Sequence, residues 1–152
     1  MGFAKRIGSA LLRWIKRTLG LHPIRDITIS AGVLDDISDM AGSAHPKEML
    51  AFMSSTRGNR HGIVYIDEIQ LQAYVASEDS ATFHTWNMPT VTGIVGTVHS
   101  HPGGSKRPSD ADLHLFSKFG YIHAIIGEPY RPRDIRFYNK DGIAIAVRVV
   151  DD

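Results

Sequence analysis

The sequence predicts an α/β fold, organised as an α+β sandwich in which a sheet and helices share one core. Two observations favour this class. Apolar segments of strand length, bounded by glycine, proline and asparagine, are interspersed with two segments of helical periodicity. The chain also has 152 residues, which suits one domain with a substantial core and leaves little room for a second.

The first half of the chain contains the first predicted helix and several short strands. Four apolar residues recur at helical spacing and a glycine closes the segment: Val33, Leu34, Ile37, Met40 and Gly42. Strand signals are apolar or alternating segments with turn residues between them. They predict strands at residues 26–30, in the apolar run up to residue 53, at 62–66 and at 69–75.

The second half of the chain supplies a buried strand, a second helix and a hairpin. Ser109 is a typical helix N-cap, residues 111–119 have helical character, and Gly120 is a C-cap signal. The turn residues at 139–142 lie between two apolar segments, which is the signature of a hairpin. Strands are therefore predicted at 93–98, 122–127, 136–138 and 143–150.

Composition excludes several kinds of site. The chain contains no cysteine, which rules out disulfides, cysteine-zinc sites and thiol nucleophiles, and which fits a reducing cytoplasm. Its formal net charge is +1 with the histidines neutral, so the overall charge gives no case for nucleic-acid binding. We therefore expect a cytoplasmic protein without a nucleic-acid partner.

The one local charge asymmetry lies at the N-terminus. Asp26 is the first acidic residue of the chain, and six Lys and Arg residues precede it. Apolar residues recur at helical spacing among these cations, so residues 2–19 are predicted to form a basic amphipathic helix. Lys and Arg interrupt its apolar residues too often for the helix to span a membrane. A helical extension at 1–25 and a domain at 26–152 follow. The helix is expected either to contact an anionic membrane surface or a partner, or to pack on its own domain or across a homodimer.

The strongest functional signal follows the strand at 93–98. His99 and His101 alternate along an extended chain, so their side chains share a face and are about 6.6 Å apart along the strand. Asp112 falls in the first turn of the helix that begins at Ser109, where it can face back toward the histidines. Zinc accepts two imidazoles and a carboxylate, with a fourth position for water. Ser-x-x-Asp is also the pattern of a helix capping box, which needs no metal to explain it. The combination of the two histidines with this pattern, in the order strand, loop and helix, favours a metal site.

The same segment resembles a known family. His-Ser-His-Pro at residues 99–102, six further residues and Ser-x-x-Asp at 109–112 resemble the JAMM motif of the MPN+ zinc metalloproteases, and the flanking sequence looks most like the small archaeal members. The resemblance implies a cytidine-deaminase-like mixed sheet flanked by helices, with one zinc ion held by His99, His101 and Asp112. It also implies hydrolysis of the isopeptide bond between the C-terminal glycine of a ubiquitin-like modifier and a lysine, with the modifier and its conjugates as partners.

The resemblance further implies two catalytic groups. In the family a glutamate that is preceded by a proline and leads into an apolar strand supplies the general base, and this position is Glu48 here. Glu48 would take a proton from the attacking water and pass it to the leaving amine. The Ser109 hydroxyl would donate to the negative charge that grows on the carbonyl oxygen. The glycines that often follow this glutamate in the family are missing, and three other glutamates are alternative bases: Glu68, Glu78 and Glu128.

Three other functions share parts of this pattern. A zinc nucleoside deaminase has a related fold, but its Cys-x-x-Cys ligands cannot exist in a chain without cysteine. A His-x-His amidohydrolase needs a barrel of about 250 residues. A non-catalytic MPN scaffold or partner-binding module usually loses the motif ligands, whereas all of them are present here, and it stays the main alternative.

Overall fold

The computed structural model describes residues 23–71 and 93–151. The predicted N-terminal helix at 2–19, the end of the strand predicted at 69–75, and the alternative base Glu78 lie outside these residues. Within the described ranges, no helix has the length and apolar character that are needed to cross a membrane.

The described residues form two α-helices, a short 3-10 turn and nine strands. The helices are α1 (Ala31–Ala44) and α2 (Asp110–Phe116), and the 3-10 turn is Pro132–Asp134. Both helices predicted within the described residues are present, although α2 ends earlier than expected, with Ser117 as its C-cap. The strands are β1 (Asp26–Ser30), β2 (Leu50–Ser54), β3 (Asn59–Arg60), β4 (Ile63–Ile66), β5 (Glu68–Leu71), β6 (Ile94–His101), β7 (Ile122–Gly127), β8 (Ile135–Asn139) and β9 (Arg148–Val150).

The strands form two mixed sheets. The larger sheet has the order β5-β2-β6-β7-β8, and the smaller has the order β3-β4-β1-β9. β6 lies at the centre of the larger sheet, antiparallel to β2 and parallel to β7. The predicted α/β class with a mixed sheet is confirmed, and the strands divide between two sheets.

The larger sheet has a core on each face. On one face it packs against α1 and the smaller sheet, through aliphatic residues that include Ile37, Val64 and Val98. On the other face Phe116 of α2 packs with Ile125 and Tyr138. Side chains alternate along a strand, so the residue after Val98 turns toward α2. This alternation places the first of the two predicted histidine ligands beneath α2.

The predicted C-terminal hairpin is wrong in its second strand. The chain does turn at residues 139–142, and Tyr138 forms an isolated antiparallel bridge with Ala144. It then leaves the larger sheet, and β9 pairs in parallel with β1, with Val149 opposite Ile29. Apolar alternation shows which residues share a face, but it does not show which strand they will pair with.

Candidate metal centre

The two predicted histidine ligands lie at the end of β6 and share one face of the strand. His99 is buried and His101 is partly exposed. Their Nε2 atoms are 3.0 Å apart and their ring centroids are 4.8 Å apart. The pair therefore lies at the boundary between the core beneath α2 and the solvent.

The first turn of α2 brings a carboxylate to this pair. The Ser109 hydroxyl accepts a hydrogen bond from the Asp112 amide at 3.2 Å, and Asp112 Oδ2 accepts one from the Ser109 amide at 2.6 Å, which is a reciprocal capping box. The other oxygen, Oδ1, lies 2.8 Å from His99 Nε2, while Oδ2 lies 3.4 Å from His101 Nε2. The helix cap thus directs Asp112 toward both histidines.

The three side chains form a group that fits a metal ion. One ligand atom from each of His99, His101 and Asp112 lies within 4.8 Å of the others. Two imidazole nitrogens and one carboxylate oxygen suit a divalent transition metal, zinc included.

The hydrogen bonds behind the two rings differ. His101 Nδ1 lies 2.8 Å from the Ser105 carbonyl oxygen. A carbonyl only accepts, so Nδ1 carries the proton and Nε2 of neutral His101 presents its lone pair to the group, as a metal ligand must. In the described part of the chain, His99 Nδ1 is buried without a hydrogen-bond partner. A hydrogen bond at Nδ1 therefore fixes the ring of His101, whereas the ring of His99 has none at this atom within the described residues.

The charges in the group depend on one another. Burial favours the neutral Asp112 carboxyl, but hydrogen bonds with His101 and His99 outweigh it and hold the pKa of Asp112 well below its usual range. The hydrogen bond with Asp112 raises the pKa of His101 against the opposite effect of burial, and the charge of Glu48 adds to the rise. Asp112 is ionised at neutral pH, which is the form that binds metal.

Glu48 lies just before β2, on the same side as the histidines. β2 is antiparallel to β6 with Leu50 opposite His99. Two residues earlier in the chain, Glu48 reaches the level of His101, and residues two apart in an extended segment face the same way. Glu48 is exposed, and its charge acts on His101. Strand register and alternation thus put the predicted base on the same side of the sheet as the predicted ligands, with its charge felt by His101.

Comparison with known proteins identifies the family of this chain. The family of prokaryotic homologues of the JAB domain matches residues 30–140. The chain belongs to this JAB/MPN family. A Haloferax volcanii protein named a probable metalloprotease is 33% identical over 130 residues, which cover 82% of this chain and 80% of that protein. The family predicted from the His-Ser-His-Pro segment is confirmed.

Solved structures share the JAB/MPN fold. A JAB1/MPN domain protein from Archaeoglobus fulgidus is 35% identical with a TM-score of 0.64, and the match covers 81% of this chain and 98% of that one. A structure described as a metalloprotease-like JAMM zinc site in the proteasome and signalosome is 33% identical with a TM-score of 0.63, over 83% and 99% of the two chains. A protein from Desulfitobacterium hafniense is 16% identical, covers 83% and 94%, and shares the fold with a TM-score of 0.59.

The alternative bases lie less favourably in this JAB/MPN domain. Glu68 pairs with Ser54 at the far end of β2 and accepts a hydrogen bond from its hydroxyl at 3.2 Å. The two ends of β2 are roughly 13 Å apart at the rise of a strand. Glu128 follows Gly127, the residue opposite His101, so alternation turns it to the other face. Glu48 is therefore the best-placed of the described candidates.

A buried histidine supports α2 from below, and the sequence motifs gave it no role. His123 Nδ1 lies 2.9 Å from the Thr97 hydroxyl, and its ring stacks on Phe116 with the centroids 4.2 Å apart. Burial lowers the pKa of His123 to about 4, so the ring is neutral near pH 7. Phe116 lies one helical turn after Asp112. Residues one helical turn apart share a face of the helix, so the position of Phe116 relative to Asp112 is the sequence signal that this face of α2 packs on the sheet.

The loop between His101 and α2 is hydrogen-bonded to β8 and to the 3-10 turn that precedes β8. The Tyr138 hydroxyl donates to the Lys106 carbonyl. The Lys106 ammonium lies 3.1 Å from Asp134, which also pairs with Arg131 at 3.1 Å. These contacts hold the middle of the loop, and so they limit how far the two histidines and the α2 carboxylate can move apart.

Proposed function

We propose that this protein is a zinc-dependent isopeptidase, which hydrolyses the amide bond between the C-terminal glycine of a ubiquitin-like modifier and a lysine side chain. The observation that carries the proposal is the convergence of ligand atoms from His99, His101 and Asp112 within 4.8 Å, with the charge of Glu48 acting on His101. The Haloferax volcanii relative, named a probable metalloprotease, supports hydrolysis. The related JAMM zinc-site structure supports zinc as the metal.

His99, His101 and Asp112 would hold the zinc ion. Zinc bound by three protein ligands supplies a Lewis acid and an activated water near neutral pH. The chain contributes the orientation of its ligands before the metal binds. The Ser105 carbonyl fixes the proton of His101 on Nδ1, and the capping box with Ser109 fixes the Asp112 carboxylate.

Glu48 would move the proton that amide hydrolysis requires. The attacking water must lose a proton, and the lysine nitrogen must gain one before it can leave as an amine. A carboxylate at the solvent-exposed edge of the group can do both in turn. Its exposure suits this role, because the proton acceptor must reach the water and the substrate while the ligands stay beneath it.

Ser109 would stabilise the charge that develops on the substrate carbonyl oxygen. Its hydroxyl donates to Asp112 Oδ2 at 2.8 Å and accepts from the Asp112 amide at 3.2 Å. Donation to the substrate therefore requires the hydroxyl hydrogen to turn away from the carboxylate. The bond from the Ser109 amide to Asp112 can keep the helix cap in place during that turn.

The proposed substrate is a conjugate with a flexible Gly-Gly tail, which is the preference that the resemblance to the JAMM motif implies. The test is to incubate zinc-loaded protein with an isopeptide-linked ubiquitin-like conjugate and, separately, with casein-like peptides, each with and without a chelator. We expect the conjugate to be cut only without chelator and the peptides to be spared. Equal cleavage of the peptides would contradict the isopeptidase, and no cleavage at all would favour the non-catalytic scaffold.

A further inference from the structure

Glu48 lies in the short connection between α1 and β2, residues 45–49, of which we call residues 45–48 the Glu48 segment. We propose that Ser100 and Tyr130 hold this segment at its two ends and are positioning residues for Glu48. The inference rests on the proposed function, in which Glu48 is the base. It assigns a role to a serine that lies between the two histidine ligands without being a ligand itself.

The first contact replaces a backbone hydrogen bond by a side-chain one. In an antiparallel ladder, every second pair of facing residues is a hydrogen-bonded pair, whose members exchange both backbone hydrogen bonds. Ser100 does donate its amide to the Met49 carbonyl at 2.9 Å. The Met49 amide, however, donates to the Ser100 hydroxyl oxygen at 2.7 Å. Ser100 is fully buried, so this bond is shielded from water.

The hydroxyl sets where the Glu48 segment passes into β2. The Met49 amide belongs to the peptide plane that joins Met49 to Glu48, so its hydrogen bond fixes the orientation of that plane. Without the hydroxyl, the amide either stays buried without a partner, which is unfavourable, or finds another acceptor by rotating. The cost of an unpaired buried amide favours the rotation, and the rotation displaces Glu48. Ser100 lies between the two histidine ligands on β6, so its hydrogen bond to Met49 links the position of Glu48 to that of the ligands.

The second contact holds the other end of the Glu48 segment. His45 is the C-cap of α1, and its Nδ1 is hydrogen-bonded to the Tyr130 hydroxyl at 3.0 Å with the rings edge to face. Tyr130 is buried and has a φ of 61°, a left-handed conformation that bulky residues rarely adopt. The surrounding structure must impose it. A buried ring on a constrained backbone is a rigid support for an exposed histidine.

A double-mutant cycle tests the proposal. Ser100→Ala and Tyr130→Phe each remove one oxygen atom and little volume. We expect each to lower kcat on the conjugate by about 10²-fold, the loss that a misplacement near 1 Å can cause, with KM and zinc content little changed. In a Glu48→Gln background the same changes should cost nothing further, because their effect passes through Glu48. No loss in the parent, or the same loss in the Glu48→Gln background, would overturn the proposal.

The matched control is Ser54→Ala, which removes a buried hydroxyl at the far end of β2. It should leave kcat within about twofold of the parent, because Ser54 lies roughly 13 Å along β2 from the end that Glu48 precedes. A loss in Ser54→Ala as large as that in Ser100→Ala would show that any buried serine in this sheet matters equally. The positioning role of Ser100 would then be refuted.

Amide hydrogen exchange tests the Ser100 contact without turnover. The Met49 amide should exchange slowly in the parent protein and about tenfold or more faster in Ser100→Ala, while the amides of Ala51 and Met53 keep their protection. Fast exchange of Met49 in the parent, or no change on substitution, would overturn the contact. A parent protein that shows this exchange pattern yet cleaves no conjugate would contradict the proposed function and support the contact.

Discussion

Asp112 and Ser109 are joined by three hydrogen bonds, and the same Asp112 carboxylate lies 2.8 Å from His99. The first turn of α2 and the metal group therefore share one side chain. A capping box by itself stabilises a helix. In this domain it also determines where a ligand oxygen points, so helix stability and metal affinity should change together.

Removing the cap should show this coupling. We expect Ser109→Ala to lower the free energy of unfolding of the metal-free protein by about 1 kcal/mol. Zinc affinity should fall about 10–100-fold, because Asp112 loses a group that orients it. Denaturant unfolding and a competitive zinc titration measure the two effects. Ser117→Ala, which removes a hydroxyl at the other end of α2, is the control and should keep its zinc affinity. Unchanged zinc affinity in Ser109→Ala would show that the cap does not orient Asp112.

The assignment of the base rests on Glu48. Glu48→Gln keeps the shape of the side chain and removes the proton acceptor, so turnover should fall by about 10²–10⁴-fold. Zinc content should not change, because Glu48 is not proposed as a ligand. The matched changes Glu68→Gln and Glu128→Gln should leave turnover nearly unchanged. A large loss of turnover in one of these two variants, with near-normal turnover in Glu48→Gln, would assign the base to that other glutamate. Loss of zinc in Glu48→Gln would show that Glu48 is a ligand.

Asp134 should make the fold acid-sensitive at low pH. Hydrogen bonds from Arg131 and Lys106 lower the pKa of Asp134 from 3.8 to about 2. A carboxyl whose pKa is lower in the folded state stabilises the fold above its unfolded pKa, and it loses that contribution as pH falls through the folded one. Asp134→Asn should therefore lower Tm at neutral pH, and its deficit should shrink between about pH 4 and pH 2. A constant Tm difference across that range would contradict the assignment.

The basic amphipathic helix at residues 2–19 stays a prediction. If it is an interfacial helix, deleting residues 1–22 should abolish binding to anionic liposomes and leave conjugate hydrolysis intact. Added salt should weaken the binding of the full chain, because ions screen the attraction between its cations and the lipid. Sedimentation with liposomes measures both effects. A full chain that never binds liposomes, together with a deletion that lowers Tm by several degrees, would place the helix on its own domain or in a dimer.

The site could be predicted from sequence because its key residues are close along the chain. His99 and His101 are fixed by strand alternation, and Ser109 and Asp112 by helix-capping geometry, both of which are local rules. The partner of β9 could not be predicted, since its apolar residues are equally compatible with a hairpin beside β8 and with the observed parallel pairing to β1. Strand pairing is decided by the packing of the whole domain.

The supporting contacts were also beyond sequence reasoning. Ser100 and Met49 are far apart in the chain, and a serine between two histidines carries no sign that its hydroxyl replaces a strand hydrogen bond. Gly96 is a similar case. A Cβ at this position would lie 1.5 Å from the Ile122 carbonyl oxygen, so β6 and β7 can approach there only because the residue is glycine. Such requirements appear only when the strands are placed side by side.

The most direct test of the account is to measure metal content and conjugate turnover on the same preparations of the parent protein and Asp112→Asn. Asn keeps a side-chain oxygen for the helix cap but removes the charge of the ligand. We expect one zinc per chain in the parent, with turnover that stops on chelation and returns with zinc, and little zinc or turnover in Asp112→Asn. A parent protein that holds no zinc after reconstitution, or that keeps full turnover in chelator, would contradict the metal centre and the hydrolase proposed from it.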